Sequence, residues 1–380
     1  MDAALDQVKQ LASNIDASAR QKLTLELMKV IHSLETPDDM LQRIGSLHFQ
    51  TAAVILGYDL SVFRNLCKSE SSNVEELARE SGAEPALLGR ILRYLASVGL
   101  VDEVSKDVFA ANHATRTLSE EVSEAGLKHY FYTCSPIHQS LPEHLKSTGY
   151  KSPEDETNTA FNKAFGTDKH VFFWFGGQAE RLKYFNDYMA LRRTPDVSWL
   201  SVYPVIEEAK GVTADRAVFV NVGGGIGHQC AEFKRAHPGI PGRVVLQDLQ
   251  HSIDAALPTP GVENTVHNFF EKQPVEGAKF YFLRGVFHNH PTHKVQLLLS
   301  NIKAVMAPDS VILIDEIVTP EVGVNHDAMA HDLTMMATFA GAERSEAQWR
   351  DILDAVGLKL VKTYVYNPSG YETVLDVRAA

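Results

Sequence analysis

The feature that most constrains the fold is an apolar run that ends in four closely spaced glycines, at residues 218–227. The β-branched and aromatic residues before the glycines predict a buried strand, and residues 228–237 predict a helix. A strand that turns into a helix through glycines lets a ligand lie against bare backbone, below the helix N-terminus. The segment therefore predicts an α/β domain with a cofactor site at Gly223, Gly225 and Gly227.

A carboxylate at the end of a second predicted strand narrows the kind of cofactor. Asp248 ends residues 243–248, just over 20 residues beyond the glycines, where an acid can accept hydrogen bonds from both ribose hydroxyls. Dinucleotide sites usually carry Gly-x-Gly-x-x-Gly, whereas the third glycine comes one residue early here. The glycine turn and Asp248 together predict a bound nucleoside, but they do not show which nucleoside it is.

Composition excludes several classes of protein. A chain of 380 residues favours two domains, and its 44% hydrophobic and 22% charged content is that of a folded globular protein. The longest apolar runs, such as residues 311–314, have strand length and predict no membrane span. A net charge of −12 argues against a nucleic-acid partner. Three scattered cysteines predict neither a disulfide framework nor a metal site, and together with the lack of a signal sequence they favour the cytoplasm.

Residues 1–120 are predicted to be mainly helical, with one recognisable arrangement near their end. Two helices at 73–81 and 85–97 are followed by a small hairpin at 100–104 and 108–111, which is the order of a winged helix. The second helix has no basic face, since Arg90 and Arg93 are its only basic residues and several glutamates shortly precede it. A structural or dimer-forming role is therefore favoured over DNA binding.

The rest of the chain divides into an aromatic-rich helical linker at 121–205 and a domain of alternating strands and helices at 206–380. The dense aromatic run at 172–175 is interpreted as core or, alternatively, as the wall of a pocket for a flat ligand. The alternation predicts a doubly wound sheet, and the last two strands, joined at 367–370, predict an antiparallel hairpin.

Three side chains in this last domain are candidates for acid–base chemistry. His288 and Glu316 come at or just after predicted strand ends, and Glu343 lies in a polar turn before a helix. A histidine flanked by two carboxylates can take a proton from a hydroxyl, because the acids fix its tautomer and stabilise the imidazolium. The alternative is a surface or core histidine, with Glu343 favoured simply by its place before a helix.

The chain as a whole resembles the S-adenosylmethionine-dependent O-methyltransferases of the plant and fungal natural-product type. The resemblance rests on the glycine motif at 221–227, the segment 247–249, the pair His288-Asn289, the acids Glu316 and Glu343, and linker segments at 161–166 and 185–189. It implies a doubly wound Rossmann-like methyltransferase sheet with an N-terminal, mainly helical winged-helix dimerisation domain. It also implies a cytoplasmic homodimer that acts on a small hydrophobic polyketide or phenolic acceptor in secondary metabolism.

The resemblance also implies roles for individual residues. His288 is the general base, flanked by Glu316 and Glu343. S-adenosylmethionine is the cofactor, and no metal is expected. The residues expected to bind the cofactor are Gly223, Gly225, Gly227, Asp248, Leu249, Asn268, Phe269 and Arg284. The residues expected to line the acceptor site are His129, Phe172, Trp174, Phe175, Met189, Asp332, Met335 and Met336.

Three departures from the family pattern leave a second function open. Asn221 and Asn268 stand where aspartates are usual, and His290 stands where a tryptophan is common. Some similar fungal enzymes bind S-adenosylmethionine without transferring its methyl group and catalyse dehydration or pericyclic cyclisation. In that alternative the sulfonium acts as a fixed positive charge, and His129 is a candidate acid.

Overall fold

The computed structural model describes residues 2–191 and 198–380, which pack as two compact units. The first unit contains residues 2–21, 140–170 and 198–380, and the second contains residues 22–139 and 171–191. The chain thus passes four times between the two units. The predicted domain boundaries at 120 and 205 describe a different division and remain predictions.

Strands and helices are numbered in chain order. The strands are β1 Ser72–Asn73, β2 Asp102–Ser105, β3 Val108–Ala110, β4 Ala217–Val222, β5 Arg243–Asp248, β6 Val262–Val266, β7 Phe280–Arg284, β8 Val311–Thr319, β9 Arg344–Ser345, β10 Leu358–Asn367 and β11 Glu372–Ala379. The helices are α1 Asp2–Ala12, α2 Ala17–Leu34, α3 Pro37–Gly45, α4 Leu47–Asp59, α5 Val62–Leu66, α6 Val74–Ser81, α7 Pro85–Ser97, α8 His113–Leu118, α9 Glu121–His129, α10 Ser135–Ser147, α11 Ala160–Phe165, α12 Val171–Phe175, α13 Ala179–Leu191, α14 Val205–Glu208, α15 His228–Ala236, α16 Gln250–Asp254, α17 Thr292–Lys303, α18 His326–Phe339 and α19 Glu346–Ala355.

The first unit is built on a mixed eight-stranded sheet. Its order is β10-β11-β8-β7-β4-β5-β6, with β9 paired to β8. Strands β4 to β8 run parallel, whereas β11 is antiparallel to both β8 and β10. From the central strand β4 the chain first winds to β5 and β6 on one side and then to β7 and β8 on the other. This reversal creates a crevice at the carboxyl ends of β4 and β7, where open α/β sheets bind ligands.

Two hydrophobic layers cover this sheet, one on each face. The central strand β4 is buried along its whole length, because it has neighbouring strands on both sides and apolar side chains on both faces. One layer includes Tyr281 and Trp349, and the other stacks Trp199 against Phe219 and Phe282. The strands therefore hold the residues at their carboxyl ends on a rigid scaffold.

The second unit contains the predicted helices and hairpin in the expected order. Helix α6 begins with a capping box at Asn73, and α7 begins at Pro85, whose missing amide hydrogen costs nothing at a first turn. Strands β1, β3 and β2 form a small antiparallel sheet beside them. Leu88, Leu92, Leu95 and Phe109 are fully buried in the core of this unit.

The predicted α/β architecture is confirmed, with a few differences in detail. The sequence analysis did not predict β6, whose polar residues are mostly exposed at the edge of the sheet. The antiparallel hairpin of the last two strands is present as predicted. None of the described helices has both the length and the apolar character that a membrane span requires.

Candidate active site

The glycine turn after β4 tolerates side chains poorly, for two separate reasons. Gly223 and Gly225 have φ values of +66° and +59°, in the left-handed region that side chains disfavour. At Gly224 the obstacle is space, because a Cβ atom there would lie 2.4 Å from Asn221 Nδ2 and 2.6 Å from Leu246 Cδ1. The turn is therefore held close against the strands below it, and its outer surface is bare backbone.

Asp248 fixes the shape of this turn. Its Oδ2 accepts a hydrogen bond of 2.7 Å from the amide of Gly225, and its Oδ1 accepts one of 2.8 Å from the amide of Leu249. Phe269 approaches the turn from another side, since a Cβ atom on Gly223 would lie 3.4 Å from its ring. The structure thus brings the predicted cofactor residues of three segments to one edge of the sheet. Gly227, also predicted, is the left-handed N-cap of α15.

The two remaining predicted cofactor residues lie farther along the same edge. Asn268 is exposed, and its Oδ1 accepts a hydrogen bond from the amide of Phe270. Arg284 ends β7, with its Nε 3.4 Å from the buried Asp315 Oδ2 and its Nη2 3.6 Å from Glu372 Oε1. The guanidinium is held by these acids and is partly exposed.

His288 lies in a short 3₁₀ turn, Phe287–Asn289, just after β7. Its Nδ1 is 2.8 Å from Glu343 Oε1 and 3.5 Å from Glu316 Oε2. Both carboxylates are almost completely buried, whereas 18% of the His288 side chain is exposed. The predicted trio is therefore assembled, and its imidazole is the member that a ligand can reach.

The backbone around His288 is fixed from two sides. Glu316 Oε1 accepts hydrogen bonds from the amides of Val286 and Phe287, at 3.0 Å and 2.7 Å. The buried Arg344 donates to the carbonyls of Phe287 and His290, at 3.1 Å and 2.8 Å. These contacts leave the turn little freedom, which is what a positioned acid–base group requires.

Charge and burial compete at this site. Burial alone favours the neutral imidazole, but the carboxylates of Glu316 and Glu343 outweigh it and raise the pKa of His288 to about 9. Burial likewise opposes ionisation of Glu343, yet hydrogen bonds from His288 and His331 lower its pKa to about 2. Burial raises the pKa of Glu316. At neutral pH the structure therefore holds a protonated His288 against an ionised Glu343.

His331 is a member of this cluster that the sequence analysis missed. It lies on α18, and its Nδ1 is 2.8 Å from the same Glu343 Oε1 that His288 contacts. The two imidazole rings are 5.3 Å apart. The adjacent Asp332 was predicted, and its Oδ1 accepts a hydrogen bond of 2.8 Å from the amide of Glu343. The sequence thus pointed to neighbours of His331 on α18, namely Asp332, Met335 and Met336, but not to His331 itself.

The donor atoms of His288, His331 and Glu343 all lie within 4.8 Å of one another, close enough for a metal ion to be considered. Ligand atoms at about 2.0–2.1 Å from a tetrahedral zinc ion are roughly 3.3 Å apart. The two nitrogen-to-oxygen distances of 2.8 Å are shorter than that and are ordinary for hydrogen bonds. We therefore interpret the cluster as a hydrogen-bonded one.

The residues predicted to line the acceptor site are divided between the two units. In the first unit, α18 carries Asp332, the buried Met335 and the half-buried Met336. The second unit contains the buried His129, Trp174 and Phe175, the half-buried Met189 and the exposed Phe172.

His290, noted as a departure from the family pattern, has a partner that the sequence did not indicate. Its Nδ1 contacts Glu156 Oε1, and its ring packs edge-on against Phe269 and Phe270. The imidazole therefore occupies a space next to the predicted cofactor residue Phe269, with an acid to hold it in place.

Comparison with known proteins agrees with this geometry. A model of the O-methyltransferase domain matches residues 147–359. The chain is also 36% identical over 376 residues to the O-methyltransferase ucdC of Aspergillus ustus, covering 99% of this chain and 98% of that protein. The chain belongs to the O-methyltransferase family. The cofactor is S-adenosylmethionine.

Two solved structures are similar to this O-methyltransferase along its whole length. One is LepI in complex with S-adenosylmethionine, which is 35% identical with a TM-score of 0.89, covering 100% of this chain and 98% of that one. The other is described as a pericyclic reaction enzyme and is 34% identical with a TM-score of 0.89, covering 100% and 99% of the two chains. One structure with this fold thus holds S-adenosylmethionine, and one is described as a pericyclic reaction enzyme.

Proposed function

We propose that this enzyme transfers the methyl group of S-adenosylmethionine to a hydroxyl of a hydrophobic natural product, a polyketide or phenolic, with His288 as general base. The observation that carries the proposal is the placement of His288 beside two buried carboxylates at the carboxyl end of β7. A base placed there is next to the sheet edge at which Gly223, Asp248 and Phe269 meet.

The reaction needs one proton to move at the protein. Nδ1 of His288 is directed to Glu343, so Nε2 is the atom that takes the proton of the acceptor hydroxyl. The deprotonated oxygen would then be ready to receive the methyl group, whose bond to sulfur would break with its electron pair left on the sulfur, and Glu343 stabilises the resulting imidazolium. Glu316 acts on the backbone amides of the turn and keeps the ring in place. Proton transfer and positioning are the contributions of the protein itself.

Cofactor binding is proposed for the glycine turn, Asp248, Leu249, Asn268, Phe269 and Arg284. When bound, S-adenosylmethionine supplies an electrophilic methyl group on a positively charged sulfonium. Asp248 would hold the ribose, Phe269 would pack on the adenine, and Gly225 would present its backbone.

Acceptor binding is proposed for α18, whose Met335 and Met336 offer an adaptable apolar surface next to Asp332. The corresponding role of His129, Phe172, Trp174, Phe175 and Met189 remains a prediction from the family resemblance.

The proposal is tested with S-adenosylmethionine that carries a CD₃ group and with hydroxylated aromatic polyketides as acceptors. Mass spectrometry of the product should show one CD₃ group for each cofactor consumed. A product that forms while the labelled cofactor stays intact would overturn methyl transfer and support the second candidate described next.

The second candidate is a pericyclic or dehydration reaction in which the cofactor is retained. Its support is the similarity, at 34% identity, to the structure described as a pericyclic reaction enzyme. The raised pKa of His288, about 9, also suits a hydrogen-bond donor that stabilises a developing oxyanion. Methyl transfer remains the better supported proposal, because His288 retains both acids and the chain belongs to the O-methyltransferase family.

We also infer that residues 73–110 form a winged helix and that the enzyme is a homodimer. Helices α2 and α3 expose many large apolar side chains, among them Leu25, Ile31, Leu34, Leu41 and Ile44 at 45–78% exposure. Large apolar side chains exposed in this number suit a protein interface. A cytoplasmic location is supported by three free cysteines, two of them buried.

A further inference from the structure

The carboxylate of Glu343 is shared between two imidazoles. A single oxygen, Oε1, lies 2.8 Å from Nδ1 of His288 and 2.8 Å from Nδ1 of His331. Its other oxygen, Oε2, is buried and has no hydrogen-bond partner among the described residues. The negative charge of Glu343 is therefore divided between a general base and a second histidine to which the proposed mechanism assigns no role.

Helix α18 holds Glu343 at two points. His331 contacts the carboxylate, and the next residue, Asp332, accepts a hydrogen bond from the backbone amide of Glu343. The helix is fixed by the cap at Asn325, whose Oδ1 accepts from the amide of Ala328, and by the buried Met335 one turn beyond His331. His331 thus reaches the acid from a helix rather than from a loop, so its position is well defined.

Several charged groups act on His288 directly, whereas His331 contacts Glu343, the acid that His288 also contacts. Glu316 approaches from β8 and Glu343 from the segment before β9, and both favour a protonated His288. Arg344 on β9 opposes protonation. Asp332 on α18 faces Glu343 and His331. A donor to Glu343 reduces the negative charge that this acid presents to His288, whatever the protonation state of that donor.

We propose that His331 is a positioning residue for the general base: it orients the shared oxygen of Glu343 and withdraws part of its negative charge from His288. The proposal rests on the proposed function, in which His288 must be neutral to accept a proton. Without His331, Glu343 would bind the His288 imidazolium more strongly, and the base would become available only at higher pH. The histidine thereby sets the pH range in which the enzyme works.

The test compares variants of the cofactor-loaded enzyme. His331→Leu and His331→Phe both remove the donor. The Phe variant keeps a planar ring, so it serves as the second test if the Leu variant packs poorly. His331→Gln keeps an N–H that can reach Glu343. The matched control is His326→Leu on the same helix, because the side chain of His326 is 91% exposed.

The first measurement is the titration of His288 by NMR of histidine-labelled protein, with the signal assigned from its loss in His288→Gln. We expect the pKa of His288 to rise by roughly 0.5–1 unit in the Leu and Phe variants and to return towards the wild-type value in the Gln variant. The acidic limb of the kcat/KM profile should move to higher pH in the Leu and Phe variants, together with the pKa of His288. An unchanged or lowered pKa in a folded Leu or Phe variant would overturn the proposal.

This test separates the inference from the function on which it rests. The NMR titration needs no acceptor, so it reports on His331 even if the enzyme transfers no methyl group. Failure of the proposed function would instead appear as absence of label from the product made by the wild-type enzyme.

Discussion

At the scale of single residues, the site is defined by how strongly the acids hold the proton of His288. Glu343 forms a direct hydrogen bond at 2.8 Å, whereas Glu316 lies 3.5 Å away and binds backbone amides instead. The two acids therefore have different tasks, although both are buried and both face the same ring. Both acids raise the pKa of His288, and Glu316 in addition fixes the backbone of the turn that carries it.

Methyl transfer by the wild-type enzyme is predicted to become faster as the pH rises from 7 towards 9. The pKa of His288 is raised to about 9 by its carboxylate neighbours, and only the neutral imidazole can accept a proton. Below its pKa the imidazole of His288 is protonated and cannot accept a proton, whereas above its pKa the imidazole is neutral and can, so the rate increases with pH. A kcat/KM profile measures this, and a profile that falls between pH 7 and 9 would contradict the assignment.

Glu343→Gln is predicted to move that rise to lower pH, because it removes a negative charge that favours the imidazolium. It should also lower the maximal rate, since the imidazolium formed in the reaction loses its partner. Glu316→Gln offers the comparison, because Glu316 is the other acid that raises the pKa of His288. A profile unchanged in Glu343→Gln would show that Glu343 does not control the base.

Some residues of the site could be predicted from the sequence, and others could not. His288 follows β7, and parallel strands place their carboxyl ends at one edge of the sheet. Glu316 was predicted to come directly after a strand, but β8 extends to Thr319, so Glu316 lies within that strand. His331 was not predicted, because its role depends on a tertiary contact with an acid 12 residues away. The contact of His290 with Glu156 joins residues 134 positions apart and has no local signal at all.

At the scale of elements, the turn that carries His288 depends on close backbone packing. The amide of Ala342 donates to the carbonyl of His288 at 3.1 Å, and the preceding Gly341 leaves no room for a side chain. A Cβ atom at Gly341 would lie 1.9 Å from the His288 carbonyl oxygen. The segment before β9 and the turn after β7 therefore share one tightly packed backbone contact.

Gly341→Ala is predicted to displace this contact, with a loss of about 1–3 kcal/mol in the free energy of unfolding and a fall in turnover. Urea unfolding and activity assays measure the two effects. Gly239→Ala is the control, because a Cβ atom there meets nothing within 4 Å. Equal stability of the two variants would mean that the contact at His288 is looser than described.

Elements were predicted best where the pattern was strongest. The strand and glycine turn at 218–227 combine a buried apolar run with glycines, and both occur as expected. Strand β6 was missed because Val262–Val266 contains mostly polar, exposed residues and borders the sheet. Its pairing with β5 is decided by the neighbouring strand, which sequence periodicity does not report.

At the scale of the whole molecule, the chain folds as two units, of which the first is built from three separate segments and the second from two. This interleaving was not predictable from composition, since residues 140–170 and 171–191 both lie within the single linker that the sequence predicts at 121–205. What composition did indicate is that a net charge of −12 argues against a nucleic-acid partner.

The proposed homodimer leads to a prediction at this scale. Leu34→Glu and Leu41→Glu each place a charge on the exposed apolar surface of α2 and α3, where these residues are 78% and 66% exposed. The wild-type enzyme should have the mass of a dimer by light scattering, and the variants should shift towards the monomer. Val322→Glu, at an 86% exposed position of the first unit, is the control. A monomeric wild-type enzyme would refute the proposed dimer.

The most direct test of the central claim joins the labelled cofactor to a single substitution at the base. CD₃ transfer is measured for the wild type and for His288→Ala, with cofactor binding measured by calorimetry in each. We predict that His288→Ala binds the cofactor normally and transfers the label about two to four orders of magnitude more slowly, because it lacks the general base. Undiminished transfer of the label by His288→Ala would contradict the role assigned to this histidine.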